Sequence, residues 1–170
     1  MAIVVDATVG GASSNAYIDV ATADQIMEYR QTTFANWTAL SDDQKGAALI
    51  SASQMFDSLN WKGVRTAETQ ALRWPRSGAY DLDGYALADD SIPGDVQEAL
   101  ADYAYTVSQS DQFQATGLEG FSEIAVDVIK LKLDAGDRDS AIPDRILDRL
   151  QYLIEGRSGG SLGAAEVGRA

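Results

Sequence analysis

The sequence predicts a mainly α fold, a small helical bundle with a few short β-strands and a flexible C-terminal arm. Three observations carry this prediction. Apolar residues recur at helical spacing in three segments, around residues 48–59, 96–107 and 146–154. Each of these segments is preceded by a helix-start signal: Ser41 with Gln44, Pro93, and Pro143. From residue 156 onward the chain turns rich in Gly, Ala and Ser and holds too little apolar surface to fold by itself. At 170 residues with 45% apolar content, the chain suits one core domain, residues 1–155, followed by an arm, residues 156–170.

The elements follow in order. Residues 1–8 are β-branched and read as a short strand, and 10–15 as a flexible loop. Residues 16–20 read as extended. Thr22 reads as an N-cap, with Gln25 as its capping-box partner, for a helix reaching about residue 30. Ser41 and Gln44 repeat the device ahead of a helix ending near Asn60, whose inner face is Ala48, Ala52, Met55, Phe56 and Leu59. Residues 66–72 read as a further helical turn, stopped by Trp74-Pro75 because the residue before Pro is pushed toward extended geometry. Residues 80–90 form an acidic loop around Gly84. After Pro93 comes a helix that buries Val96, Leu100, Tyr103, Ala104 and Val107. Residues 121–133 alternate as a strand, and the change of parity after Val128 calls for a bulge or bend. Pro143 opens a last helix with Ile146, Leu147, Leu150, Leu153 and Ile154 facing inward.

Composition removes several kinds of chemistry. The chain has no Cys and no His, so it holds no disulfide, no thiolate metal site and no Ser-His-Asp or Cys-His catalysis. No phosphate-binding glycine loop and no nucleophile elbow is present. Asp42, Asp43, Asp89 and Asp90 fall in expected loops or helix starts, where acids complement the helix dipole. Asp81-Leu82-Asp83-Gly84 lacks the Gly-at-six, Glu-at-twelve spacing of a calcium loop and reads as a solvated acidic loop. We expect no enzymatic activity, cofactor or metal. No segment is apolar over the roughly 20 residues a membrane span requires, and the N-terminus has no signal-peptide pattern. No membrane partner is expected, and the chain should be soluble where it is made.

Charge is segregated along the chain. The net charge is −13, yet residues 61–79 carry Lys62, Arg65, Arg73 and Arg76 against Glu68 alone, a balance of +3. Residues 80–112 carry eight acids, among them Asp81, Asp83, Asp89 and Asp90, and no base. The basic cluster has three readings: salt bridges to the acidic loop, contacts to a neighbouring subunit, or a nucleic-acid patch with Trp61 and Trp74 stacking on bases. So acidic a chain is a poor general binder of phosphates. The two Trp read as core or corner residues, given their large packing area. The arm is either a disordered terminus or a segment that orders on a partner through Arg157, Leu162, Val167 and Arg169.

The string Gln70-x-Leu72-x-Trp74-Pro75-Arg76 resembles one found in the head–tail adaptor (connector, or head-completion) proteins of tailed bacteriophages, some of whose relatives are labelled DnaT-like single-stranded DNA-binding proteins. Before it stands Asn15-Ala16-Tyr17-Ile18-Asp19-Val20, similar to the family's opening segment with Ala16 in place of Ser. The helix at residues 47–59, Ile92-Pro93, the extended 123–133 and the closing helix 146–154 follow in the family's order. The chain departs from the family in the charge of residues 121–133 and in its long tail.

The resemblance implies a structural virion protein made in the bacterial cytoplasm and placed at the head–tail junction. Such proteins form a ring of about twelve copies under the portal, built on heterologous head-to-tail contacts. Its partners would be itself, the portal protein and the next neck or tail component, with DNA only passing non-specifically along the channel. Under this resemblance Lys62, Arg65, Arg73 and Arg76 would meet Asp81, Asp83, Asp89 and Asp90 of a neighbour, and the arm would reach the portal. The competing implication is a single-stranded DNA-binding protein acting in phage replication.

Overall fold

The computed structural model describes residues 2–30, 32–109 and 142–156, and the backbone of 123–126 and 129–132. Among these residues are five helices: α1 Val20–Glu28, α2 Phe34–Thr38, α3 Asp42–Asp57, α4 Gly94–Gln109 and α5 Asp144–Leu150. Four short strands accompany them: β1 Val64–Arg65, β2 Arg76–Ser77, β3 Glu123–Val126 and β4 Ile129–Lys132. The fold is mainly α, as the apolar spacing predicts.

Helix α3 begins where Ser41 places it. Ser41 Oγ accepts from Gln44 N–H and Gln44 Oε1 accepts from Ser41 N–H, at 3.3 and 2.9 Å, so two otherwise orphaned donors are satisfied reciprocally. Ser41→Ala should therefore lower stability by about 1 kcal/mol in urea unfolding, with an unchanged denaturant slope. A loss below a few tenths would show that the cap contributes nothing. The buried face of α3 is Ala48, Leu49, Ala52, Ser53 and Phe56, with Met55 and Leu59 half-buried.

The central element is α4, which packs on α1, α3 and α5. Its stripe of Val96, Leu100, Tyr103 and Ala104 is buried, Val107 is half-buried, and Tyr103 stacks on Phe56 with centroids 5.9 Å apart. Pro93 and Pro143 stand immediately before α4 and α5, and their carbonyls accept the first helical N–H groups. Beyond α5, Leu153 and Ile154 remain buried. On the surface, Arg30 and Arg149 clasp Glu98 and Asp102 of α4 from two sides, with N–O distances of 3.0–3.5 Å, and so tie the end of α1 and α5 to α4.

Four local expectations are corrected. Residues 2–8 form no strand. Their polar groups go instead to side chains: Asn15 bridges Asp6 N–H and the Val4 carbonyl, and Asp43 accepts from Ile3 N–H. The segment lies against α3 where Gly46 leaves room, since a Cβ there would sit 3.0 Å from Val5 Cγ2. The N-cap of α1 is Asp19, not Thr22. Its carboxylate accepts from Thr22 N–H at 2.7 Å, a bond that holds the Asp19 pKa below the usual carboxylate range. Ala23 and Met27 are the buried residues of this helix. Residues 66–72 form no helical turn, because the Gln70 side chain takes up the local backbone groups. It accepts from Ala67 N–H and donates to the Leu72 and Pro75 carbonyls. Finally, the extended region after residue 121 is two antiparallel strands rather than one bent strand, with Val126 paired to Ile129. The bulge expected at Val128 lies outside the described residues. The sequence also gave no sign of α2, whose Trp37 is fully buried and donates to Asp24 at 2.7 Å.

Candidate functional site

The basic segment folds into a corner built around its own backbone. Strands β1 and β2 pair antiparallel, Val64 with Ser77 and Arg65 with Arg76. Trp61 forms an antiparallel bridge with Ile154, Lys62 N–H donates to the Leu153 carbonyl and Glu155 N–H to the Asn60 carbonyl, so the corner is fastened to the segment after α5. The peptide bond between Trp74 and Pro75 is cis.

The four basic residues do not act alike. Arg76 is 7% exposed, and its guanidinium donates to the carbonyls of Trp61, Lys62, Gly63 and Arg73. Burial, and then the neighbouring Arg73 charge, lower its pKa from the ordinary arginine value. It serves as a hub that closes the corner. Gln70, also buried, does the same for the turn before it. Lys62, Arg65 and Arg73 are exposed, Arg65 donating one bond to the Gln70 carbonyl. Trp61 and Trp74 are 4% and 1% exposed and pack edge to face with centroids 5.6 Å apart. Neither offers a face to a base.

The acidic loop is ordered by its own hydrogen bonds. Tyr80 and Ala86 form an antiparallel bridge, Leu87 N–H donates to the Ala79 carbonyl, and Asp81 accepts from the N–H groups of Asp83 and Tyr85. Gly84 supplies the left-handed turn at φ +87°. Asp83, Asp89 and Asp90 are exposed and Asp81 is half-buried. Thr66 Oγ1 donates to the Asp89 carbonyl and so links the loop to the basic corner through the backbone. No ion pair among the described residues joins Lys62, Arg65, Arg73 or Arg76 to Asp81, Asp83, Asp89 or Asp90. The two charge segments are neighbours in the fold, yet they leave each other's charges unpaired. Arg157, Leu162, Val167 and Arg169 lie outside the described residues.

A cleft of about 180 Å³ beside the corner is lined by Asp57, Asn60, Trp61, Arg73, Arg76 and Glu155. Asp57 is already engaged, accepting from the Tyr17 hydroxyl and from Arg73 N–H. Burial and the Asp57 charge raise the Tyr17 pKa well above the usual phenol value, so Tyr17 acts as a neutral donor. Among the described residues no group of three His, Cys, Asp or Glu side chains could hold a metal ion. No helix among them is long and apolar enough to cross a membrane.

Over residues 1–170 the chain matches the family described as "Putative DnaT-like ssDNA binding protein". The chain belongs to this family. No curated protein and no solved structure matches it. The description of the DnaT-like family names a binding protein rather than an enzyme. In this DnaT-like chain, the Gln70-to-Arg76 string that stands out in the sequence is the frame of the corner, with the Gln70 and Arg76 side chains turned onto the backbone. The residues that sequence reasoning passed over are the loop's Tyr80, Leu82 and Tyr85, which are 56%, 78% and 72% exposed. Their signal was present: three large side chains within six positions of a segment otherwise made of Asp, Gly and Ala.

Proposed function

We propose that the chain is a non-catalytic structural subunit of a phage head–tail junction, assembling with further copies into a ring under the portal through which DNA passes. One observation carries the choice over a DNA-gripping role. Trp61, Trp74 and Arg76, which a single-strand binder would present to bases and phosphates, are committed to the interior. What remains outside is three exposed cations of the corner on a protein of net charge −13. Such a surface repels phosphate and suits a bore along which DNA slides. The resemblance of the 15–20 and 70–76 segments to adaptor proteins supports the same reading, as does the absence of His and Cys, which an adaptor does not need.

A second reading, single-stranded DNA binding, is favoured by the family's description. It would rest on Lys62, Arg65 and Arg73. Two measurements separate the readings. Fluorescence anisotropy with a labelled oligothymidine at physiological salt should give no binding tighter than about 10 µM. Electron microscopy of the chain mixed with its portal should show a ring on the portal. Tight binding that weakens steeply with salt, together with bare portals, would overturn the adaptor reading in favour of the DNA-binding one.

A further inference from the structure

We infer that the loop of residues 80–86 is a docking finger for a second copy of this chain, received by the exposed strip of Lys62, Val64, Arg65 and Arg73. The inference rests on the self-assembly part of the function proposed above and names the contact that would carry it.

The finger leaves Leu82, Tyr85 and Tyr80 more than half exposed to solvent. Single exposed apolar residues are ordinary, but three such large side chains on one seven-residue loop (80–86) point to a binding surface. The loop is held in shape before any partner arrives, by the Tyr80–Ala86 bridge, the Asp81 N–H to Tyr85 carbonyl bond at 2.9 Å, and the two bonds accepted by the Asp81 carboxylate. Rigid aromatic side chains on a preorganised loop lose little entropy on docking, which is why Tyr recurs at the centre of protein interfaces.

Charge selects the occupant. Asp83 lies within the finger and Asp89 and Asp90 follow it in sequence; all three are exposed and carry no counter-charge among the described residues. The surface that fits them is apolar at its centre and cationic at its rim. The chain itself offers one. Val64 is 67% exposed on β1, with Lys62 and Arg65 close by in sequence and Arg73 exposed in the same corner, and none of these cations is in an ion pair among the described residues. Within one subunit no ion pair among the described residues joins the acids of the finger to the cations of the strip, so both sets of charges are left for another copy. A contact between two different surfaces is heterologous and propagates, closing into a ring when the rotation allows. Arg76 is no part of it, because its donors are already spent on carbonyls.

Sedimentation velocity on the full chain over a concentration series tests the contact. The wild type should associate, and Leu82→Ala with Tyr85→Ala should weaken association at least about tenfold while leaving the melting curve unchanged. Asp83→Lys with Asp90→Lys should separate the subunits, as should Lys62→Glu with Arg73→Glu. Mixing these two charge-reversed proteins should restore association, since every finger then meets a strip of opposite sign in an alternating assembly. A wild type that stays monomeric at all concentrations, variants that associate like wild type, or a mixture that stays apart would each overturn the finger contact. The micrographs with the portal judge the adaptor reading separately.

Discussion

Replacing Arg76 with Ala should destabilise the protein by roughly 3 kcal/mol or more, a large share of the 5–15 kcal/mol typical of a domain. The guanidinium satisfies four carbonyls at once, those of Trp61, Lys62, Gly63 and Arg73. Truncation leaves buried acceptors without a donor, and that desolvation cost exceeds the net value of any single bond. Arg76→Lys should recover only part of the loss, because one ammonium cannot reproduce the planar fork that spans the corner. Lys62→Ala, at an exposed position in the same segment, should stay within about 0.5 kcal/mol of wild type. Urea unfolding of the three variants decides the matter. An Arg76→Ala midpoint near that of Lys62→Ala would mean that the guanidinium does not hold the corner together. For the same reason, a test of subunit contacts should reverse Lys62 and Arg73 and leave Arg76 in place.

Gly63→Ala should cost roughly 2–4 kcal/mol, from two sources that a second substitution separates. Gly63 sits at φ +75°, a backbone conformation that an L side chain resists. A Cβ there would also collide with the Ser77 carbonyl oxygen and lie 3.1 Å from the carbonyl carbon of Gly78, and these are backbone atoms that cannot swing aside. Gly84 has φ +87° with nothing within 4 Å of an added Cβ, so Gly84→Ala isolates the conformational cost at about 1–2 kcal/mol. If the two variants melted alike, the close approach of Gly63 to Ser77 would carry no weight. The Gly63 carbonyl also accepts from Arg76, so the double variant with Arg76→Ala should cost less than the sum of the two.

Where the sequence was legible, the deciding interactions are local. The Ser41–Gln44 pair lies within one turn, and the stripe of α4 repeats along one helix, so neither needs a distant partner to be recognised. Residues 19–22 show where locality runs out. Thr22 with Gln25 reads as a cap, yet the Asp19 carboxylate takes the Thr22 N–H and the helix starts at Val20. Residues 2–8 have the β-branched content of a strand, but a strand exists only where a second one pairs with it, and here Asn15 and Asp43 take the backbone groups first. The short α2 has no periodicity to read and is held by the burial of Trp37.

The candidate site divides along the same line. By itself the sequence determined the mainly helical class, the three principal helices, the exclusion of His- and Cys-based chemistry, and the neighbouring +3 and −8 segments. Each of these follows from composition or from contacts within a few residues along the chain. Only the tertiary structure decided which of the four cations face solvent. Arg76 and Lys62 are equal as residues in a basic segment, but one meets four converging carbonyls and the other meets water. That convergence depends on β1, β2 and the segment after α5 folding onto one another. A charge is drawn inward where backbone acceptors can replace its hydration, and stays outside where they cannot.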